Sequence, residues 1–300
     1  MYKKDMAIRS ELKGTRRGFI KAATGLVALG ATTRLFGADA GSDALAALKH
    51  PDQSLADRLG MGSFTFRRFN LDQTIAMTKQ LGIKYLSLKS CHLPLNAKPE
   101  QLRAIAAKIK DQNLVLYSGG VIHLWKPAEV KQAFEYAKHA GLKLLDIMPT
   151  AALLPLIDKK VQKYDVVMAI HNHGPGDKSF PTPGIAYEKI KDLDPRIGIC
   201  ADIGHAVRYG DDLYADMEKC RDRIYDVHFK DVTSATPKGQ TTVLGRGVID
   251  IPRFLKIMQD IDYQGVLAFE YEPGGRNKLP LVAQSAGYAR GVVAMMEKKS

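Results

Sequence analysis

The sequence predicts an α/β chain folded as a single-domain (β/α)8 barrel of the TIM type, and three observations predict it. Apolar, β-rich runs alternate with segments of helical period, the alternation occurs eight times, and the last four runs each end on ionisable or metal-capable side chains.

In chain order, strands are expected at 59–64, 85–89, 114–118, 144–148, 166–171, 197–202, 224–230 and 266–270. Helices are expected near 71–81, 99–111, 128–140, 151–164, 183–191, 211–221, 251–260 and 279–297. Pro99-Glu100, Pro127-Ala128-Glu129 and Pro252 mark first turns, where the donor that proline lacks would have no partner anyway. Gly82 and Gly141 come just after helical runs, as residues of a left-handed cap do. A doubly wound open sheet is the rival, but no G-x-G-x-x-G succeeds the first strand and a dinucleotide site has no support.

Composition agrees with one packed domain. The 300 residues are 45% hydrophobic and 25% charged, which excludes disorder as the default state. The formal charge of +12 is uneven, because residues 1–40 hold eight Lys or Arg against three Asp or Glu. Beyond residue 40 the excess is scattered, with no long basic run and no basic tract interleaved with aromatics, so nucleic acid is not an expected partner.

Residues 1–40 are read as an export signal. Arg16-Arg17 precede the modest apolar stretch 22–31, and Ala38-Asp39-Ala40 offers small residues for cleavage. The arrangement resembles a twin-arginine signal, which implies a periplasmic or otherwise exported protein. The apolar run is far shorter than the ~20 residues needed to span a bilayer, so no stable membrane insertion is expected. Residues 41–56 read as a polar linker and 57–300 as the barrel. Cys91, Cys200 and Cys220 are odd in number and contain no CxxC pair, so a disulfide framework is not expected and packing is.

In a closed parallel barrel every strand opens its C-terminal end on the same rim, and chemistry is found there. The fifth expected strand ends in Ile170-His171-Asn172-His173, the sixth in Asp202-Ile203-Gly204-His205, the seventh in His228-Phe229-Lys230-Asp231 and the eighth in Phe269-Glu270-Tyr271-Glu272. Imidazole and carboxylate together suit manganese, zinc, cobalt or iron, and they leave coordination positions open for vicinal oxygens. His171, Asp202, His228 and Glu270 are the expected ligands of one divalent ion, with manganese first among the candidates. Glu270, Lys89, His173 and His205 are the candidate proton-transfer or charge-stabilising groups. Lys89, His92, His123, His205, Lys230, Arg246 and Glu272 are candidate substrate contacts. Arg246 belongs to Gly245-Arg246-Gly247-Val248-Ile249-Asp250, too short for a phosphate loop, and Trp125 beside His123 offers a stacking wall or simple packing.

At these residues the chain resembles the xylose isomerase-like barrel superfamily, in particular its sugar phosphate isomerase/epimerase branch, over residues 57–297. The resemblance implies a metal held by Glu, Asp, His and Glu from strands five to eight, with two glutamates flanking the substrate. Those roles carry over to Asp202, His228 and Glu270, whereas His171 stands where the family's usual Glu would be. A neutral imidazole there removes one negative charge and one of two carboxylate bases. The resemblance therefore implies a metal-dependent isomerase or epimerase of a small keto-sugar, working through an enediolate. A lyase or hydrolase of 3-keto-glycosides and a non-catalytic sugar-binding barrel are the alternatives, and a monomer and a homo-oligomer are both compatible with the sequence.

Overall fold

The structure, a computed structural model, describes residues 42–298 apart from 274 and 276. The predicted export signal lies outside the described residues. The described chain starts with a short helix, α1 (Asp43–Ala46), and then enters the first barrel strand.

Eight parallel strands close the barrel: β1 (Leu59–Gly62), β2 (Tyr85–Leu88), β3 (Val115–Leu124), β4 (Leu144–Pro149), β5 (Val167–His171), β6 (Ile197–Asp202), β7 (Ile224–Phe229) and β10 (Val266–Phe269). Neighbours run in the order β1, β10, β7, β6, β5, β4, β3, β2 and back to β1. An antiparallel ribbon, β8 (Asp231–Val232) with β9 (Thr241–Thr242), sits in the connection after β7.

Around the barrel run α2 (Leu71–Gln80), α3 (Pro99–Asp111), α4 (Pro127–Ala140), α5 (Leu154–Tyr164), α6 (Pro183–Ile190), α7 (Ile203–Tyr209), α8 (Leu213–Lys219), α9 (Ile251–Asp260) and α10 (Leu279–Glu297). Their starts are chemically marked. Asn70 and Gln73 exchange a reciprocal capping pair at α2, Thr182 caps α6 and Asp250 caps α9. Gly141 takes a left-handed φ of 71° at the end of α4, as its position in the sequence predicts.

Three elements differ from the sequence reading. The first strand stops at Gly62, because Ser63–Phe66 coil into a 3-10 turn. β3 runs on to Leu124, well past residue 118, so His123 lies within it. The helix expected over 211–221 is α8, and a further helix that the sequence reading lacked, α7, precedes it and ends at Gly210 with its φ of 94°. Inside the stretch read as a linker, Ala44 of α1 and Leu48 just after it pack against Leu144, Val167 and Ala169. Leu144 and Val167 open their strands, so α1 covers the N-terminal floor of the barrel. Ala44 N and Ser42 Oγ both donate to the Asp165 carboxylate and pin it there.

The core is apolar where β7, β10 and α9 meet: Phe229 stacks on Phe254 and on Phe269, each at 5.6 Å between ring centres. Strand register carries the mouth residues to a common level, pairing Asp202 with His228, and His228 with Ala268 two residues before Glu270. Among the described residues, no helix is long and apolar enough to cross a membrane.

Candidate active site

At the C-terminal rim four strand ends deliver His171, Asp202, His228 and Glu270, all buried, with one donor atom from each lying within 4.8 Å of the others. The focus is Asp202 Oδ2. His171 Nε2 stands 3.3 Å from it and His228 Nδ1 3.7 Å. The two imidazoles approach each other at 3.1 Å, and His228 Nδ1 is 3.2 Å from Glu270 Oε2.

Local structure fixes these side chains. Asn172 bridges two strand ends, its amide donating to Asp202 O at 3.0 Å and its carbonyl accepting from Asp202 N at 2.8 Å. Asp202 caps α7 by accepting from His205 N through Oδ1, which leaves Oδ2 facing the mouth. Gly174 is needed behind it: at φ 68°, any Cβ would fall 2.6 Å from His205 O.

Lys230 is the largest departure from a simple four-residue centre. Its ammonium lies 2.6 Å from Asp202 Oδ2, 2.7 Å from Glu270 Oε2 and 2.5 Å from Glu272 Oε1. Gly204 permits this, since a Cβ there would sit 2.6 Å from Lys230 Cγ.

The electrostatics arise from burial and these contacts. Burial disfavours the charged form of Lys230, but Asp202, Glu270 and Glu272 hold its proton well above the usual range. Burial also opposes ionisation of Glu270, and Lys230 with His228 overcomes it, keeping the carboxylate charged. Asp202 is likewise held well below the carboxylate range, against burial, by His205, Lys230 and the imidazoles. Burial pushes His171 down to about 3, so it is neutral, whereas Cys200, Glu270 and Asp202 outweigh burial at His228 and raise it.

The donor set fits a divalent ion. Asp202 Oδ2 is buried with no directed hydrogen bond of its own, and its charge is balanced by the Lys230 ammonium 2.6 Å away. A divalent ion bound here would take over that neutralisation, since a buried carboxylate needs a cation beside it. His171 with its neutral ring, Asp202, His228 and Glu270 supply two nitrogen and two oxygen donors, a set suited to manganese, iron, cobalt or zinc.

The remaining predicted residues divide. His205 is buried, its Nε2 3.9 Å from Asp202 Oδ2 and 3.8 Å from Glu272 Oε1, and burial lowers its proton affinity. His173 is exposed, and its ring lies against that of His205, tilted by 41° with 4.5 Å between ring centres. Lys89 lies 4.4 Å above the Phe64 ring, whose other cationic neighbour is Arg67 at 4.3 Å. His123 stacks at 5.0 Å on the exposed Trp125, which makes a wall and not a packed core contact.

His92 does not join the cluster. Its Nε2 is turned to Phe69 O at 2.9 Å and Thr74 Oγ1 at 3.1 Å, so it ties the loop after β2 to α2. Arg246 is exposed, and its loop is organised from beneath by Asp231, which accepts from the backbone N–H groups of Val232, Gly245, Gly247 and Ile249. Cys91 is exposed, contrary to a packing role, while Cys200 and Cys220 are buried. Sequence reasoning gave no role to Asn172, Arg67 or Lys278, or to a layer of buried Ser118, Asp146 and Asp226 with the half-buried Tyr117 under His228. The sign available in the sequence was a polar side chain in each of three apolar strands: Ser118, Asp146 and Asp226.

Comparison with known proteins places the fold. The family described as xylose isomerase-like TIM barrel matches residues 64–292. Among solved structures, an L-ribulose 3-epimerase is similar with a TM-score of 0.67 and 16% identity, over 81% of this chain and 96% of that one. The 3-keto-D-glucoside 4-epimerase of E. coli gives a TM-score of 0.65 and 15% identity, over 78% of this chain and 99% of that one. A probable 3-DHS dehydratase of Bacillus anthracis gives 0.64 and 12%, over 78% of this chain and 98% of that one. No curated protein matches the chain.

Proposed function

The chain belongs to the xylose isomerase-like TIM barrel family, and from that premise we propose that it is a divalent-metal-dependent isomerase or epimerase acting on a small keto-sugar. The observation that carries this reading is the convergence of His171, Asp202, His228 and Glu270 donors within 4.8 Å on the barrel rim. These four residues would hold the ion, manganese first. Bound there, the ion would polarise a carbonyl and its neighbouring hydroxyl, so that a proton on the adjacent carbon becomes acidic enough for a modest base.

The chain's own groups then have distinct tasks. Glu270 is engaged by Lys230 and His228, which suits it to binding and charge balance more than to proton abstraction. The neutral His205, with the exposed His173 ring against it, is the better-placed base at the open side of the cluster. Lys230 and Lys89 supply positive charge for a developing enediolate oxygen. Glu272 positions Lys230 through its 2.5 Å contact, and His123 with Trp125 offers a stacking surface for a sugar face.

One observation favours a second reading, elimination from a 3-keto-glycoside. The strand-five position holds His171 in place of a carboxylate, so two equivalent bases do not face each other, and unlike groups suit loss of a β-oxygen substituent. Incubating the metal-loaded protein with a panel of keto-sugars and 3-keto-glucosides in D2O tests both. Deuterium at the carbon next to the carbonyl with no aglycone supports isomerisation or epimerisation, and released aglycone supports elimination. Absence of any turnover, with metal bound, would leave a sugar-binding barrel and overturn the enzymatic reading.

We also propose export by the twin-arginine route from Arg16-Arg17. Its test is cell fractionation of the wild-type chain and of the paired Arg16→Lys, Arg17→Lys variant, the latter expected to stay in the cytoplasm.

A further inference from the structure

Beneath the mouth lies a second cluster that the proposed reaction does not use. Barrel interiors of this class are filled mainly by Val, Ile and Leu. Here β4, β6 and β7 instead point Asp146, Cys200 and Asp226 inward, each with no exposed surface. Cys200 and Asp226 are register partners, so they share a level. With His228 just above, the four residues offer donor atoms that all lie within 4.8 Å of one another.

The hydrogen bonds around this cluster leave it incomplete. Ser118 Oγ donates to Asp146 Oδ2 at 2.6 Å, Tyr117 OH stands 3.1 Å from Asp226 Oδ2, and Val227 N donates to Asp226 Oδ1 at 2.9 Å. Asp146 Oδ1 is buried and has no hydrogen-bond partner. The backbone opposite is shaped to the carboxyl, since a Cβ on Gly120 would fall 2.5 Å from Asp146 Cβ. Two carboxyls and a thiol are enclosed together; burial and their mutual repulsion hold their protons on, and a cation that displaced those protons would also satisfy the unpaired oxygen.

We propose that Asp146, Cys200, Asp226 and His228 bind a second divalent ion, of the zinc or cobalt(II) class, inside the barrel. One sulfur, one nitrogen and two oxygen donors make a four-coordinate set of the kind such ions take. His228 presents Nδ1 to the mouth residues and its other ring nitrogen to the inner ion, so with both ions bound the ring would give up both of its protons and link the two sites as an imidazolate. The inner ion binds β4, β6 and β7 together and fixes the ring that the mouth depends on. This inference stands whichever reaction the mouth performs.

The full chain, stripped of metal and reloaded with cobalt(II), tests it, because none of the four mouth ligands contains sulfur. The expected result is two metal equivalents per chain and a near-ultraviolet sulfur-to-cobalt charge-transfer band. Cys200→Ser abolishes the band, and Asp146→Asn reduces the inner site's cobalt occupancy, each leaving about one equivalent. An Asp202→Ala variant, aimed at the mouth, keeps the band; if the mouth takes no metal, one equivalent with the band still supports the inner site. A loaded wild-type chain without a charge-transfer band, or with a band that survives Cys200→Ser, overturns the proposal. If Cys200→Ser fails to fold, Cys91→Ser and Cys220→Ser decide, since the band is expected to persist in both and its loss in either overturns the proposal.

Discussion

His171 Nε2 and His228 Nδ1 stand 3.1 Å apart at the barrel mouth, one ring neutral and the other protonated, with Asp202 Oδ2 between them and the remaining donors. A cation can use His228 only after its proton leaves, so metal binding and proton release are linked. Affinity for manganese is therefore expected to rise with pH. Calorimetric titrations in buffers of different ionisation enthalpy should show about one proton released per ion bound near neutrality, and a pH-independent affinity would contradict the assignment.

Lys230 holds three carboxylates together. In Lys230→Met the charges of Asp202, Glu270 and Glu272 lose their common partner, and the metal-free protein should lose about 3–5 kcal/mol of stability. Urea unfolding in chelator measures this. Added manganese should restore more stability to the variant than to the wild type, because the ion then takes over the neutralisation; equal restoration would argue against a metal at these carboxylates.

Asp231 accepts hydrogen bonds from four backbone N–H groups, three of them in the loop holding Arg246. Asp231→Ala strands buried donors and is expected to cost about 3 kcal/mol, read from urea midpoints. Arg246→Ala, by contrast, should leave stability within about 0.5 kcal/mol, as exposed substitutions do.

Lys278 is buried near Arg67 and Arg68, and burial with those charges brings its proton affinity down to about 8. The unfolded chain therefore holds this proton more tightly than the folded one between about 8 and the ordinary value of 10.5. Stability from this group rises with pH across that window. Lys278→Met should stabilise the protein at pH 7 by on the order of 1 kcal/mol after solvent screening is allowed for. Thermal melts should show the gain shrinking above pH 8 and gone near pH 10.5; a constant gain would point to packing alone.

Much of the fold was legible because β-rich runs and helical period alternate regularly, and strand ends could be located within a few residues. Asp202, His228 and Glu270 stood out as polarity arriving where an apolar run stops. What escaped was set by distance in space. That Lys230 would reach Asp202 depends on how closely Gly204 lets α7 approach, and His92 looked like a rim residue until α2 and the loop before it offered Thr74 Oγ1 and Phe69 O. Asp146 and Asp226 were hidden inside strands read as apolar, where a single carboxyl does not break the pattern. The short α7 was missed because it follows β6 directly, with Asp202 ending the strand and capping the helix at once.

The helix at residues 43–46 closes the barrel from below, so the domain carries its own stopper. Cleavage before Ser42 would leave that stopper seated, whereas trimming past Leu48 would pull it out and wet Leu144, Val167 and Ala169. The usable start of a shortened protein is therefore dictated by a drain plug far from any chemistry, and a version beginning at residue 50 should be prone to clump.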